Sequence, residues 1–189
     1  MPAVRFPANG LVWVPGDSLE YMRFEAARTH PLETGGVLIG YWVSRGRELV
    51  VTGAFGPGRN AMHAAHRFEP DSAYHQQVVS EAYESSGRLH VYVGDWHTHP
   101  TRSAALSPLD RRTLRSIARA PSARMPVPVM SVLGQAAEDE REAGWHLAVW
   151  RFVPVRERLR SAAHISQMRF EQRLVWTLSS TMFMHVRLY

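Results

Sequence analysis

Hydrophobic and polar positions follow two rhythms along this chain, and each rhythm predicts an element. Over residues 18–29 the apolar side chains Leu19, Met22 and Ala26 recur at helical spacing. Asp17-Ser18-Leu19-Glu20 has the form of a capping box, with Asp17 as N-cap and Glu20 three residues on. His30-Pro31 ends the helix, because a residue before proline avoids helical backbone angles. Residues 35–43 form an apolar run of strand length, Arg45-Gly46-Arg47 turns it, and residues 48–54 return as the second strand of a hairpin. Gly53, Gly56, Pro57 and Gly58 mark a loop. Asp71 caps a helix that runs to about Ser85, and residues 89–96 read as a central strand. Ser107-Pro108-Leu109-Asp110 opens another helix, with proline at the favoured first position. Residues 127–133 and 145–153 read as two more strands, joined through the charged loop 138–142.

Helices and hairpins are mixed without strict strand–helix–strand alternation. That places the chain in the α+β class, as a mixed α/β/α sandwich and not a doubly wound parallel sheet. The 189 residues, 45% hydrophobic and 21% charged, suit one globular domain plus an appendage. The expected division is a domain over residues 1–153 and an extension over 154–189.

Composition then removes whole classes of chemistry. Cysteine is absent, which excludes disulfides, thiolate metal sites, iron–sulfur clusters and cysteine nucleophiles. Any metal must be held by His, Asp or Glu. No apolar run approaches the ~20 residues of a membrane-spanning helix. The opening MPAVRFPANG lacks the basic flank and apolar stretch of a signal peptide, so the expected location is the cytoplasm, away from membranes.

The net charge of +5 resides in the last 39 residues: residues 1–150 carry fifteen arginines and fifteen acids, whereas 151–189 carry seven arginines against Glu157 and Glu171. Ile165, Met168, Val175, Leu178 and Met182 recur there at helix-like spacing, which predicts a basic amphipathic helix. It packs on its own domain or meets a partner or second copy. No aromatic-plus-basic recognition pattern accompanies it, so nucleic acid is not an expected partner.

The candidate chemistry lies in Asp95-Trp96-His97-Thr98-His99-Pro100. On a strand, His97 and His99 share one face while Trp96 and Thr98 take the other, and Trp96 reads as core. Pro100 stops strand pairing, so the two imidazoles sit at a strand end. Asp110 falls in the first turn of the following helix. Two imidazoles and a carboxylate leave a fourth position open, the pattern of a catalytic zinc site. Iron and manganese accept the same donors, and ligand type favours zinc. Asp95 shares the parity of the two histidines and is a candidate acceptor for an imidazole N–H. Taken alone, Glu33 reads as a solvated carboxylate at a strand start and Ser107 as an N-cap. His63, His66, His75, His146 and His164 read as surface or packing residues.

Together these residues resemble a known family. His97-x-His99-Pro100, Ser107-x-x-Asp110 seven residues further on, and the upstream Glu33 before an apolar strand resemble the JAMM motif of MPN/JAB-domain metalloproteases. Gly94-Asp95-Trp96 and the stretch Glu33-Thr34-Gly35-Gly36-Val37-Leu38-Ile39-Gly40 look like the prokaryotic JAB branch, and the resemblance covers about residues 15–153. It implies a curved mixed sheet flanked by helices, and Zn2+ held by His97, His99 and Asp110. It implies that Glu33 orients and deprotonates the attacking water, and that Ser107 stabilises the oxyanion of the tetrahedral intermediate.

The resemblance further implies a peptidase that cleaves after the C-terminal glycine of a ubiquitin-like protein, either releasing it from lysine or trimming its precursor. Such enzymes act beside activating and conjugating enzymes in bacterial ubiquitination-like pathways, some of them antiphage. Relatives acting on sulfur-carrier adducts in cofactor or amino-acid synthesis form the second reading. Metal-free MPN-type scaffolds form the third; they usually lack one or more motif residues, and this chain keeps all five.

Overall fold

The computed structural model describes residues 3–6, 10–43, 48–101, 103–135, 144–153 and 169–175. In chain order the elements are β1 (Ala3–Phe6), β2 (Gly10–Trp13), α1 (Gly16–Thr29), β3 (Gly35–Val43), β4 (Glu48–Phe55), β5 (Met62–Ala64) and β6 (Arg67–Glu69). They continue with α2 (Ser72–Ser85), β7 (Val91–His99), α3 (Pro108–Arg119), a short 3-10 turn at Pro121–Ala123, β8 (Val129–Gln135), β9 (Trp145–Val153) and β10 (Arg169–Val175). Eight strands form one mixed sheet in the order β1-β2-β4-β3-β7-β8-β9-β10, and β5 and β6 form a separate hairpin. The pairs β2–β4 and β7–β8 are parallel and the others antiparallel. The edge strands β1 and β10 approach one another, so the sheet is strongly curled.

Alternation along the strands sends side chains to both faces. Leu19, Met22 and Ala26 of α1 are buried against Leu38, Trp96, Leu133 and Val149 on one face. On the other, Val78 of α2 packs on Val37 and Ile39, and Leu114 of α3 packs on Met130, Val132, Ala148 and Trp150. This is the expected α+β sandwich, with helices on both faces of a curved mixed sheet. Among the described residues no helix is long and apolar enough to cross a membrane.

β7 departs from strict alternation. Its register against β3 shifts between Leu38 and Ile39, which leaves Val93 as the extra residue of a bulge. Val93 and Trp96 therefore both reach the α1 core although their numbers differ in parity. Beyond the bulge, Asp95, His97 and His99 take the face shared with α2 and α3.

Three expectations change. The first helix starts at Gly16 with Pro15 as its N-cap, and no side chain caps it. The extended backbone of Pro15 places its carbonyl to accept from Leu19 N–H at 3.2 Å, so Asp17 lies inside the first turn, where its charge suits the helix dipole. The central strand runs past Trp96 to His99, because Thr98 continues the ladder. The helix expected in the C-terminal extension does not hold at Arg169–Val175, which pairs antiparallel with β9 from Arg169↔Val153 to Val175↔Leu147. Arg169, Glu171 and Arg173 alternate there with Phe170, Gln172 and Leu174, a period of two that the wider helical spacing of the stripe concealed. The turn at Arg45-Gly46-Arg47, the loop 138–142, His164 and the stripe residues Ile165, Met168, Leu178 and Met182 lie outside the described residues.

Candidate metal centre

β7 and α3 bring the donors together. His97 and His99 stand side by side at the end of β7, with their Nε2 atoms 3.1 Å apart. Ser107 caps α3: its hydroxyl accepts from Asp110 N–H at 3.1 Å, and its own N–H donates to Asp110 Oδ2 at 2.6 Å. This reciprocal box turns the Asp110 carboxylate back toward β7. Asp110 Oδ1 lies 3.3 Å from His97 Nε2, and Oδ2 lies 3.4 Å from His99 Nε2.

These separations test the fit of an ion. Nitrogen and oxygen donors at ~2.0–2.2 Å from one tetrahedral zinc stand about 3.3–3.6 Å apart. Each imidazole meets that value against a different Asp110 oxygen, the imidazole pair is slightly closer, and with one donor atom taken from each residue the set lies within 4.8 Å, so one carboxylate oxygen draws nearer to both rings when an ion is held. Protonation favours the same use. His99 Nδ1 lies 3.1 Å from the Ser103 carbonyl, which only accepts, so Nδ1 carries a hydrogen and Nε2 is the nitrogen turned toward Asp110. Burial pushes the Asp110 carboxyl up, but hydrogen bonds from His97 and His99, the charge of His97 and the Ser107 contact outweigh it and hold the group well below the usual carboxylate range.

Glu33 reaches this site through a backbone staple. Thr34 N–H donates to Thr98 Oγ1 at 2.9 Å, and Thr98 N–H donates to the Thr34 carbonyl at 2.8 Å. Thr98 stands between the two histidines, so the staple fixes the Glu33 segment to their strand end. Glu33 is buried and lines a cleft of about 170 Å³ with His97, Asp110, Asp95 and His75. Phe68 of β6 and the half-exposed Leu109 of α3 also wall it.

Other expected residues take different roles. Asp95 faces the cleft, but its Oδ1 accepts from the Tyr92 hydroxyl at 2.9 Å, not from an imidazole. Burial raises its carboxyl above the ordinary value, against the opposing pull of that hydrogen bond and of the His75 and His97 charges. Trp96 is core, its indole N–H donating to the Phe55 carbonyl at 2.9 Å. His66 is exposed. His75 joins the cleft wall while its Nε2 meets the Gly56 carbonyl at 2.9 Å. His63, read from sequence as a surface or packing residue, contacts the Glu33 carbonyl. Its hairpin has two strands of three residues, too short for periodicity to reveal.

Relatives carry the same chemistry in their names. The "Probable metalloprotease y4qB" of Sinorhizobium fredii is 39% identical over 154 residues, spanning 81% of this chain and 93% of that protein. A CD-NTase/cGAS isopeptidase of Vibrio cholerae is 40% identical over 83 residues, 44% of this chain and 52% of that protein. The solution structure of protein DSY2949 from Desulfitobacterium hafniense matches with a TM-score of 0.50 at 19% identity, over 73% of this chain and 83% of that one, a likeness of fold. Residues 17–168 match the family of prokaryotic homologues of the JAB domain, and the chain belongs to that family as a metalloprotease-type hydrolase.

Proposed function

We propose that this chain is a zinc isopeptidase or processing peptidase that cleaves after the C-terminal glycine of a ubiquitin-like protein. The observation that carries the reading is the convergence of His97, His99 and Asp110 within 4.8 Å, at a cleft that Glu33 also lines. In this reading His97 Nε2, His99 Nε2 and Asp110 hold the ion. A dication held there would supply an acidified water and Lewis acidity at the scissile carbonyl. Glu33 takes the proton of the attacking water and passes it to the leaving amine. Capping α3 uses a lone pair of the Ser107 hydroxyl, so its O–H remains to donate to the developing oxyanion, a contribution of ~2.7–4 kcal/mol.

The substrate class rests on the family resemblance and on the isopeptidase activity named for the Vibrio relative. The narrow cleft between Phe68 and Leu109 suits a slim, glycine-ended tail. Activating and conjugating enzymes of a ubiquitination-like, antiphage pathway are the partners this reading names, in the cytoplasm. All five motif residues are present, which weighs against a metal-free scaffold.

The test is incubation of zinc-loaded protein with a ubiquitin-like protein joined through its C-terminal glycine to a lysine ε-amine. Cleavage that Glu33→Gln abolishes is the expected result. An uncut conjugate, or a Glu33→Gln variant as active as wild type, defeats the reading.

A further inference from the structure

The β5–β6 hairpin takes both backbone polar groups of Glu33. The Glu33 N–H donates to the Ala64 carbonyl at 2.8 Å, and the Glu33 carbonyl lies 2.9 Å from His63 Nδ1. A carbonyl oxygen only accepts, so His63 Nδ1 is the nitrogen that carries a hydrogen. The imidazole is itself held in place. The Phe68 ring packs against it with centroids 5.5 Å apart, and Phe68 Cε1 sits 2.9 Å from where a Cβ on Gly35 would stand. A chain of contacts thus runs from the cleft wall at Phe68, through His63, to the peptide that carries the Glu33 side chain. An isolated two-stranded hairpin is marginal in water, so contacts of this kind decide where β5 and β6 lie.

We propose that His63 is the positioning residue for Glu33. Its imidazole holds the carbonyl, and Thr98 Oγ1 the N–H, of the peptide after Glu33, and the two together set the direction from which the carboxylate enters the cleft. The proposal rests on the role given to Glu33 above. A general base works only within hydrogen-bond reach of its proton, and a displacement of about 1 Å costs on the order of 100-fold in rate. His63 touches neither the donor cluster nor the cleft, so its effect passes through the backbone of Glu33.

Two experiments test it. Long-range 15N–1H correlation spectra of the metal-free protein read which His63 nitrogen is protonated. Protonated Nδ1 is expected, and Nδ1 without a proton overturns the proposal. Kinetics then use a quenched fluorescent isopeptide, Ala-Gly-Gly joined to the ε-amine of lysine. His63→Leu is expected to lower kcat about tenfold, with KM and bound zinc unchanged. His63→Asn, whose amide N–H replaces Nδ1–H, recovers most of the rate. Wild-type kcat in His63→Leu overturns the proposal, as does a His63→Asn variant that recovers none of the lost rate. If His63→Leu fails to fold, the Asn variant and the spectra decide. A wild-type protein that leaves the isopeptide uncut counts against the proposed substrate, and the spectra then decide the positioning role alone.

Discussion

At the scale of single residues, crowding around Gly35 shows how closely the Glu33 segment is fitted to the metal centre. Gly35 pairs with His97 across β3 and β7. A Cβ at position 35 would stand 2.4 Å from the Trp96 carbonyl oxygen, 2.9 Å from Phe68 Cε1 and 3.0 Å from His97 Cβ. Two of these neighbours cannot swing away, because one is backbone and the other is the root of a donor side chain. Gly35→Ala is expected to cost about 1–3 kcal/mol in urea unfolding and to weaken zinc binding measured by competition with a chelator. Zinc affinity equal to wild type would show that His97 tolerates the intrusion. Ser107 separates two tasks that its residue type joins. Ser107→Ala removes the cap, at an expected cost of about 0.5–2 kcal/mol, and in the proposed mechanism is expected to lower kcat about 100–1000-fold through the lost oxyanion donor. Ser107→Asp keeps an acceptor for the Asp110 N–H but has no proton to give, so it is expected to recover stability more than rate. The donors were readable in sequence because their spacing is local: two residues apart on a strand, then the first turn of the next helix. Glu33 emerged only through the resemblance, since its approach depends on the Thr34–Thr98 staple across 64 positions. His63 gave no sequence signal, because its partner is a backbone carbonyl 30 positions away.

At the scale of elements, helix starts follow their side-chain chemistry where a cap exists and shift where backbone serves instead. Asp71 caps α2 as its sequence predicts: Oδ1 accepts from Tyr74 N–H at 3.2 Å, and Oδ2 accepts from the Asn60 backbone and side-chain amides at 3.2 and 3.0 Å. The Tyr74 N–H, and then the Asn60 N–H, hold its carboxyl below the ordinary value. A carboxyl depressed by folding contributes stability above its unfolded pKa, about 3.9, and that contribution is lost as pH falls through the folded value. Asn at position 71 caps without the charge. Asp71→Asn is therefore expected to melt below wild type at pH 7, with the difference shrinking as the pH is lowered past 4. Parallel melting curves across that range would locate the pH dependence elsewhere. The inner stripe of α1, the β3–β4 hairpin, β9 and the start of α3 were likewise legible, because long apolar periods and a proline at the first helical turn are local signals. The short strands β5 and β6 offered three residues each. β10 gains its strand form from the open edge of β9, a tertiary partner that the helical spacing of its apolar residues does not announce.

At the scale of the whole molecule, the centre exists only when the sheet is assembled. The two imidazoles come from β7 and the carboxylate from α3, and the Glu33 segment is stapled to β7 from the start of β3. An unfolded chain presents no such set of donors, so the zinc of the proposed arrangement is expected to bind the folded state and to stabilise it by mass action. At a free zinc concentration 100 times the dissociation constant the gain is about 2.7 kcal/mol. For a domain of this size that corresponds to a rise of about 5–10 °C in melting temperature. Removing metal with a chelator is expected to reverse the rise, and added zinc to restore it. Asp110→Asn, which takes the negative donor from the cluster, is expected to lose most of the shift. Glu33→Gln is expected to keep it while losing cleavage, because Glu33 acts on the water and not as a donor in the proposed arrangement. The two variants separate holding the ion from using it. A zinc-induced shift that survives Asp110→Asn in full would place the metal away from His97 and His99. A shift lost in Glu33→Gln would make that carboxylate a donor and require a different base.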